Sequence, residues 1–295
     1  MTNKTRMGLS CALSTPFNKD GTIDLHAFSE HAAWTLTHGC DGVTVFGTTG
    51  EGASISTRER ANTLSYMQGA GFDLGTQVTL GIAAATIEET VEQMHIGYQA
   101  GCRAILLAPP FYFPNASEDG LFYWYASVIE SLGGEARDIL LYHIPSMTRV
   151  GVYPSLVYRL KKAFPKVILG VKDSSGNGDN TAQLLAENKD LQILVGDERQ
   201  LAKAVRNGAA GSICGIANLC PAEMRTIAHK GRDNKLIHNA VDAVLVYDFM
   251  PAIKALLAHR TGYQGWMRMR PPLSDMATRD ARKLVNAFEA IFASE

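Results

Sequence analysis

The run VILGVKDSSGN at 167–177 puts a lysine where a strand-like, β-branched stretch gives way to a turn. Lys172 is followed directly by DSSGN, whose residue types favour a tight change of direction. An ammonium at that point either reaches solvent, the ordinary outcome at a strand end, or is used. Taking an ammonium out of water favours the free amine, and a free amine is the group that condenses with a ketone to an imine. Tyr142, in DILLYHIP at 138–145, carries a phenol that can relay protons. Thr48, in FGTTGEG at 46–52, carries a hydroxyl that can hand them on. The glycines around Thr48 and Thr49, Gly47 among them, let backbone N–H groups approach a carboxylate. By alternation Ile168, Gly170 and Lys172 share one strand face, and Leu140 and Tyr142 share another. If both faces line one interior, amine and phenol meet.

The elements that must position them alternate regularly. Short apolar runs at 9–14, 43–46, 77–83, 103–110, 138–145, 166–173, 191–197 and 209–218 read as strands. Amphipathic helices separate them, one capped by Ser56 or Thr57, another with proline in its first turn and Pro165 as its stop. Strands apolar on both faces are buried on both faces, as parallel strands under crossover helices must be. Eight such units predict a (β/α)8 TIM barrel over residues 1–220. From 221 to 295 the pattern is helical only, including one long segment at 234–261. That part reads as a closing helix and a C-terminal helical extension of the same unit. An open doubly wound sheet would carry a glycine fingerprint after its first strand, and CALSTPFNKDG is not one. In a barrel the site belongs at the C-terminal strand ends, where Lys172, Tyr142 and Thr48 all fall.

Composition narrows the function classes. With 28 basic and 29 acidic residues the net charge is −1, which gives no electrostatic case for nucleic acid or an acidic membrane surface. No apolar run is long enough for a membrane helix, and the N-terminal apolar stretch is too short for a signal peptide. The five cysteines are scattered with no C-x-x-C pair, as expected of free thiols in a reducing cytoplasm. The eight histidines form no ligand cluster, so neither metal nor other cofactor is expected.

FGTTGEG at 46–52, PFYF at 110–113, YHIPS at 142–146, GVKDSSGN at 170–177, VGDE at 195–198 and GSICGIAN at 211–218 occur in one order along the chain. Together they resemble the dihydrodipicolinate synthase / N-acetylneuraminate lyase family of Schiff-base lyases. The resemblance implies a barrel enzyme, usually a homotetramer, in which Lys172 forms an imine with pyruvate or another 2-keto acid. It implies Tyr142 as proton shuttle with Thr48, Thr49 and nearby amides on the keto-acid carboxylate, and the Ile213 carbonyl near the substrate. Tyr112 matches a tyrosine that reaches into a neighbouring subunit's site. The synthases of this family usually read Y-N-x-P-x-R-T here, with the arginine on the carboxylate of the aldehyde substrate. This chain has His143 and Met147 at those places. Methionine cannot make a bidentate carboxylate contact, and Arg149 is the nearest substitute.

The leading expectation is therefore a lyase or aldolase acting on pyruvate or a 2-keto acid by retro-aldol, aldol or dehydration chemistry, its second substrate undetermined, with a sugar-derived 2-keto-3-deoxy acid or a related hydroxy-keto acid as the example. The synthase proper, joining pyruvate to aspartate semialdehyde, is the second. A non-catalytic barrel that binds a keto acid is a third, disfavoured by the intact Lys172, Tyr142 and Thr48. A phosphate-binding barrel lacks its glycine cradle in GIANLCPAE.

Overall fold

The computed structural model describes residues 6–293. Eight parallel strands close into one barrel: β1 (Gly8–Ala12), β2 (Gly42–Val45), β3 (Val78–Ile82), β4 (Ala104–Leu107), β5 (Ile139–His143), β6 (Ile168–Asp173), β7 (Gln192–Val195) and β8 (Gly211–Cys214). They pair in sequence order, and β1 closes on β8. A helix follows each strand, so the fold is the (β/α)8 barrel that the alternation predicts, with further helices Lys235–Leu245, Phe249–Thr261 and Thr278–Phe292 after it.

Strand alternation makes two cores. Leu106, Leu140, Leu194 and Ile213 fill the barrel interior together with Tyr142. Ile105, Leu107, Ile139, Leu141 and Ile193 point outward under the helices. Burying each such side chain contributes roughly 1.5–3 kcal/mol relative to leaving it in water. Local signals start the helices. Ser56 accepts the Glu59 amide while the Glu59 carboxylate reaches back to the Ser56 amide, a capping box that fixes the helix Thr57–Gly69. Pro154 and Pro221 open the helices Pro154–Ala163 and Pro221–Lys230.

Two sequence expectations change. Ile168 does not share the inward face with Gly170 and Lys172. The β5–β6 register pairs Ile139 with Ile168 but Leu140 with Gly170, so Leu169 is an extra residue. Ile168 thereby packs outward beside Ile139, while Leu169 packs against the interior core. Gly170 permits this, because a Cβ there would stand 2.0 Å from the Gln192 carbonyl oxygen. The segment 234–261 is two helices rather than one, broken between Leu245 and Phe249. Pro251 explains the break: in a continuous helix its ring would strike the carbonyl of Tyr247, whereas the first turn of Phe249–Thr261 tolerates it.

Candidate active site

Lys172 and Tyr142 are direct neighbours across β6 and β5, one residue from the C-terminal end of each strand. Tyr142 faces inward by ordinary alternation with Leu140 along β5, and the bulge at Leu169 turns Lys172 to the same side. Lys172 Nζ donates to the Tyr142 hydroxyl at 3.1 Å and lies 4.3 Å from its ring centroid. Both side chains are buried. Thr48 Oγ1 stands 3.2 Å from the same phenol oxygen, with either group able to donate. Amine, phenol and hydroxyl thus form one unbroken chain of hydrogen-bonding groups.

The loop after β2 has a shape that only its sequence allows. Phe46 and Glu51 adopt left-handed backbone, with φ of 57° and 56°. The amides of Gly50 and Gly52 both donate to the Gly47 carbonyl, at 3.1 and 3.0 Å. A Cβ on Gly52 would fall 1.8 Å from the Phe46 carbonyl oxygen, so the turn closes only around glycine. Thr15 holds the loop from β1's side by donating to the Gly50 carbonyl at 2.7 Å. Among the described residues, the Thr48 and Thr49 amides have no protein acceptor. They are donors left over at the edge of the Lys172 chamber.

The turn after Lys172 is fixed by its neighbour. The buried Asp173 carboxylate accepts from Thr181 Oγ1 at 2.8 Å, Asn180 Nδ2 at 2.9 Å and the Ser175 amide at 2.9 Å. The Gly196 amide donates to the Asp173 carbonyl at 2.7 Å, so β6 and β7 end in register. Asn218 performs the same task between β1 and β8. Its Nδ2 donates to the carbonyls of Ala12 and Gly215, and its Oδ1 accepts the Ser14 amide.

Two chambers share a wall made of Thr48, Tyr142, Ile144 and Met147 from the barrel mouth and Met250, Pro272 and Leu273 from the C-terminal part. The larger, about 680 Å³, contains Lys172, Thr49 and Ile213. The smaller, about 290 Å³, contains Gly47. Arg149 and Tyr112 line neither. Arg149 ends the short helix Pro145–Thr148 in left-handed backbone, φ 58°, and its side chain is exposed. Tyr112 is 76% exposed and packs edge-on against Phe113. His143 faces away from both chambers. Its Nδ1 accepts the Val152 amide at 2.9 Å, and burial holds its ionisation below the ordinary histidine range, opposed by Asp173.

Three groups escaped the sequence reading. Glu51, in the FGTTGEG motif but without a role there, is paired with Lys254 at 2.6 Å, both fully shielded. Its other oxygen accepts the Arg270 amide at 2.9 Å, and Lys254 also donates to the Arg268 carbonyl. Burial pushes the Lys254 ammonium below its usual range, and the Glu51 charge opposes this. The available signal was a lysine inside the otherwise apolar run PAIKALLA at 251–258. Glu198 is the third: buried in the Lys172 chamber, it accepts the Ile216 amide at 3.0 Å. Burial raises its carboxyl above the usual range, with that amide and the Lys172 charge acting in the other direction.

Among the described residues, no group of three or more His, Cys, Asp or Glu is placed to hold a metal ion. Among the described residues, no helix is long and apolar enough to cross a membrane.

The chain matches the dihydrodipicolinate synthetase family model over residues 5–291. An uncharacterised DapA-like lyase from Chloroflexus aurantiacus is 30% identical, covering 97% of each chain. A dihydrodipicolinate synthase structure from Agrobacterium tumefaciens is 47% identical, with a TM-score of 0.95 over 97% of this chain and 100% of the other. A variant of the 2-keto-3-deoxygluconate aldolase from Sulfolobus solfataricus shares the fold at 20% identity, with a TM-score of 0.83 over 97% of this chain and 96% of its own. A closed barrel with an amine–phenol pair at its mouth and a match along nearly the whole sequence make this chain a lyase of the dihydrodipicolinate synthetase family.

Proposed function

We propose that the protein is a class I aldolase-type lyase in which Lys172 forms an imine with pyruvate or a closely related 2-keto acid. The observation that carries this reading is the buried 3.1 Å contact between Lys172 Nζ and the Tyr142 hydroxyl. In the free-amine form Lys172 adds to the keto carbon, and the carbonyl oxygen leaves as water after accepting two protons. Tyr142 moves those protons, with Thr48 as its partner 3.2 Å away. Loss of a proton from the adjacent carbon gives an enamine. The enamine carbon then attacks an aldehyde carbonyl, whose oxygen takes up a proton, and water releases the product from Lys172. The reverse sequence cleaves the same bond. The Thr48 and Thr49 amides and the Thr49 hydroxyl hold the keto-acid carboxylate, and the Ile213 carbonyl lies beside the bound substrate.

Tyr112 completes a neighbouring copy's site in this reading, within a homotetramer arranged as a dimer of dimers. Its 76% exposure on an aromatic loop supports that role. Residues 1–220 act as the barrel and 221–295 as its closing helix and extension, one unit held by Glu51–Lys254. The protein works in the cytoplasm, consistent with five free, buried cysteines.

A second reading, condensation of pyruvate with aspartate semialdehyde, is favoured by the 47% identity to the Agrobacterium protein described as a dihydrodipicolinate synthase. Against it stands Met147 on the wall shared by the two chambers, with Arg149 outside both. Steady-state assays with pyruvate and aspartate semialdehyde separate the two, since only the synthase reading requires efficient turnover of that pair.

A further inference from the structure

His143 stands one residue beyond Tyr142 at the end of β5 and lines neither chamber. Its backbone and its ring are both employed. The His143 carbonyl accepts the Ser174 amide at 2.8 Å, where the chain turns after Lys172. Nδ1 accepts the Val152 amide at 2.9 Å, so that nitrogen carries no proton and the neutral ring holds its own on Nε2. Nε2 is buried and has no hydrogen-bond partner among the described residues. The Tyr153 ring packs edge-on against the imidazole, with centroids 5.1 Å apart. An apolar side chain would pack there without the cost of an orphaned N–H. What the imidazole supplies is the acceptor at Nδ1.

That bond spans a turn that holds its own shape. The Ile144 carbonyl accepts the amides of Met147 and Thr148, both at 3.1 Å. The Thr148 hydroxyl bridges the carbonyls of Ile144 and Val150, at 2.9 and 2.7 Å. The angle of this turn to the barrel is therefore set where the chain leaves β5 and where it returns. Val150 and Val152 are buried in the outer core, but apolar packing has no direction; the bond from the Val152 amide to His143 does. The turn gives Ile144, Ser146 and Met147 to the wall of the Lys172 chamber. Resting on the imine chemistry proposed above, we infer that His143 is a positioning residue for the aldehyde partner. By holding the Val152 amide it sets where Ile144, Ser146 and Met147 stand against the bound aldehyde, without touching substrate itself. Pyruvate is held in that reading by Lys172 and the Thr48–Thr49 loop, which belong to other elements, so the effect falls on the second substrate.

The test compares His143→Leu with His143→Asn. Leucine fills similar space and offers no acceptor; asparagine places Oδ1 where the ring has Nδ1. Amide hydrogen exchange over 144–153 reads the turn directly. Exchange there should be faster in His143→Leu and parent-like in His143→Asn. Condensation of pyruvate is then followed with glycolaldehyde, glyceraldehyde and aspartate semialdehyde, using whichever serves the unmodified enzyme best. For that aldehyde KM should rise about tenfold or more in His143→Leu while kcat changes by less than about threefold, and His143→Asn should stay within about threefold of the parent in both. The pyruvate concentration that half-saturates borohydride labelling of Lys172 should be the same in all three proteins. If His143→Leu does not fold, His143→Gln takes its place, since its acceptor sits one bond further out and should raise the aldehyde KM in the same direction. Unchanged exchange over 144–153, a parent-like aldehyde KM despite faster exchange, or a His143→Asn protein as impaired as His143→Leu overturns the inference and leaves the imine reading standing. Failure to label Lys172 in the unmodified enzyme, or turnover of none of the three aldehydes, removes that reading and the inference with it.

Discussion

Glu51 Oε1 and Lys254 Nζ lie 2.6 Å apart with neither side chain reaching solvent. The pair ties the loop that carries Thr48 to a helix 203 residues further along the chain. Removing one partner leaves a buried charge uncompensated, which costs about 3–5 kcal/mol. Lys254→Met should therefore lower unfolding free energy in urea by that order. A joint Glu51→Gln, Lys254→Met variant should recover part of the loss, since it removes both charges. A single variant within 1 kcal/mol of the parent would show that the pair is not holding the loop.

His31 gives the protein a pH-dependent stability of definite sign. Its ring is buried, with Nε2 2.9 Å from Asn218 Oδ1 and Nδ1 3.2 Å from Arg260 Nη2. Burial pushes its ionisation down from 6.5 to about 3; the Asn218 contact opposes this and the Arg260 charge adds to it. Above about pH 6.5 both folded and unfolded chains carry a neutral ring, and the contribution is fully present. As pH falls from there toward about 3, the unfolded chain binds a proton that the folded chain refuses. Stability then falls by up to about 1.4 kcal/mol per pH unit. Denaturant unfolding between pH 7 and 5 should show this slope in the parent and a shallower one in His31→Gln. Equal slopes would contradict it.

The barrel was legible because each strand is apolar on both faces and is punctuated by turn residues, and those patterns are local. The meeting of Lys172 with Tyr142 was legible from strand-end position plus alternation. The bulge at Leu169 was not, because nothing about Leu169 itself differs from an ordinary strand residue, and the close approach of Gly170 to Gln192 that goes with it involves another strand. The break before Phe249 was available in Pro251 and was outweighed by the apolar periodicity on either side. Glu51–Lys254 and the hold of Asn218 on β1 and β8 are contacts between residues some 200 positions apart, which no local pattern reports. Arg149 lies within side-chain reach of the site along the chain, yet the left-handed turn after Thr148 leaves it outside.

Tyr142→Phe removes only the hydroxyl that joins Lys172 to Thr48. The ring remains to pack in the barrel interior, so the fold and melting temperature should be kept. Turnover should fall on the order of 100-fold or more, the scale of a lost proton-transfer group. Near-normal kcat in a well-folded Tyr142→Phe protein would reduce the phenol to packing.

Met147 is 53% exposed on the wall between the two chambers. Aspartate semialdehyde should be a poor partner for pyruvate, and Met147→Arg should improve it by supplying a bidentate carboxylate contact. Arg149→Ala should leave its KM nearly unchanged. Efficient use of aspartate semialdehyde by the unmodified enzyme, together with a sharp rise in KM on Arg149→Ala, would restore the synthase assignment.

The central claim is that Lys172 carries the chemistry. Incubation with pyruvate and borohydride, followed by intact mass and peptide mapping, tests it most directly. One reduced pyruvyl adduct per chain is expected, located on Lys172 and absent from a folded Lys172→Ala variant. An adduct on another lysine with Lys172 untouched, or equal labelling of the Lys172→Ala protein, would contradict it.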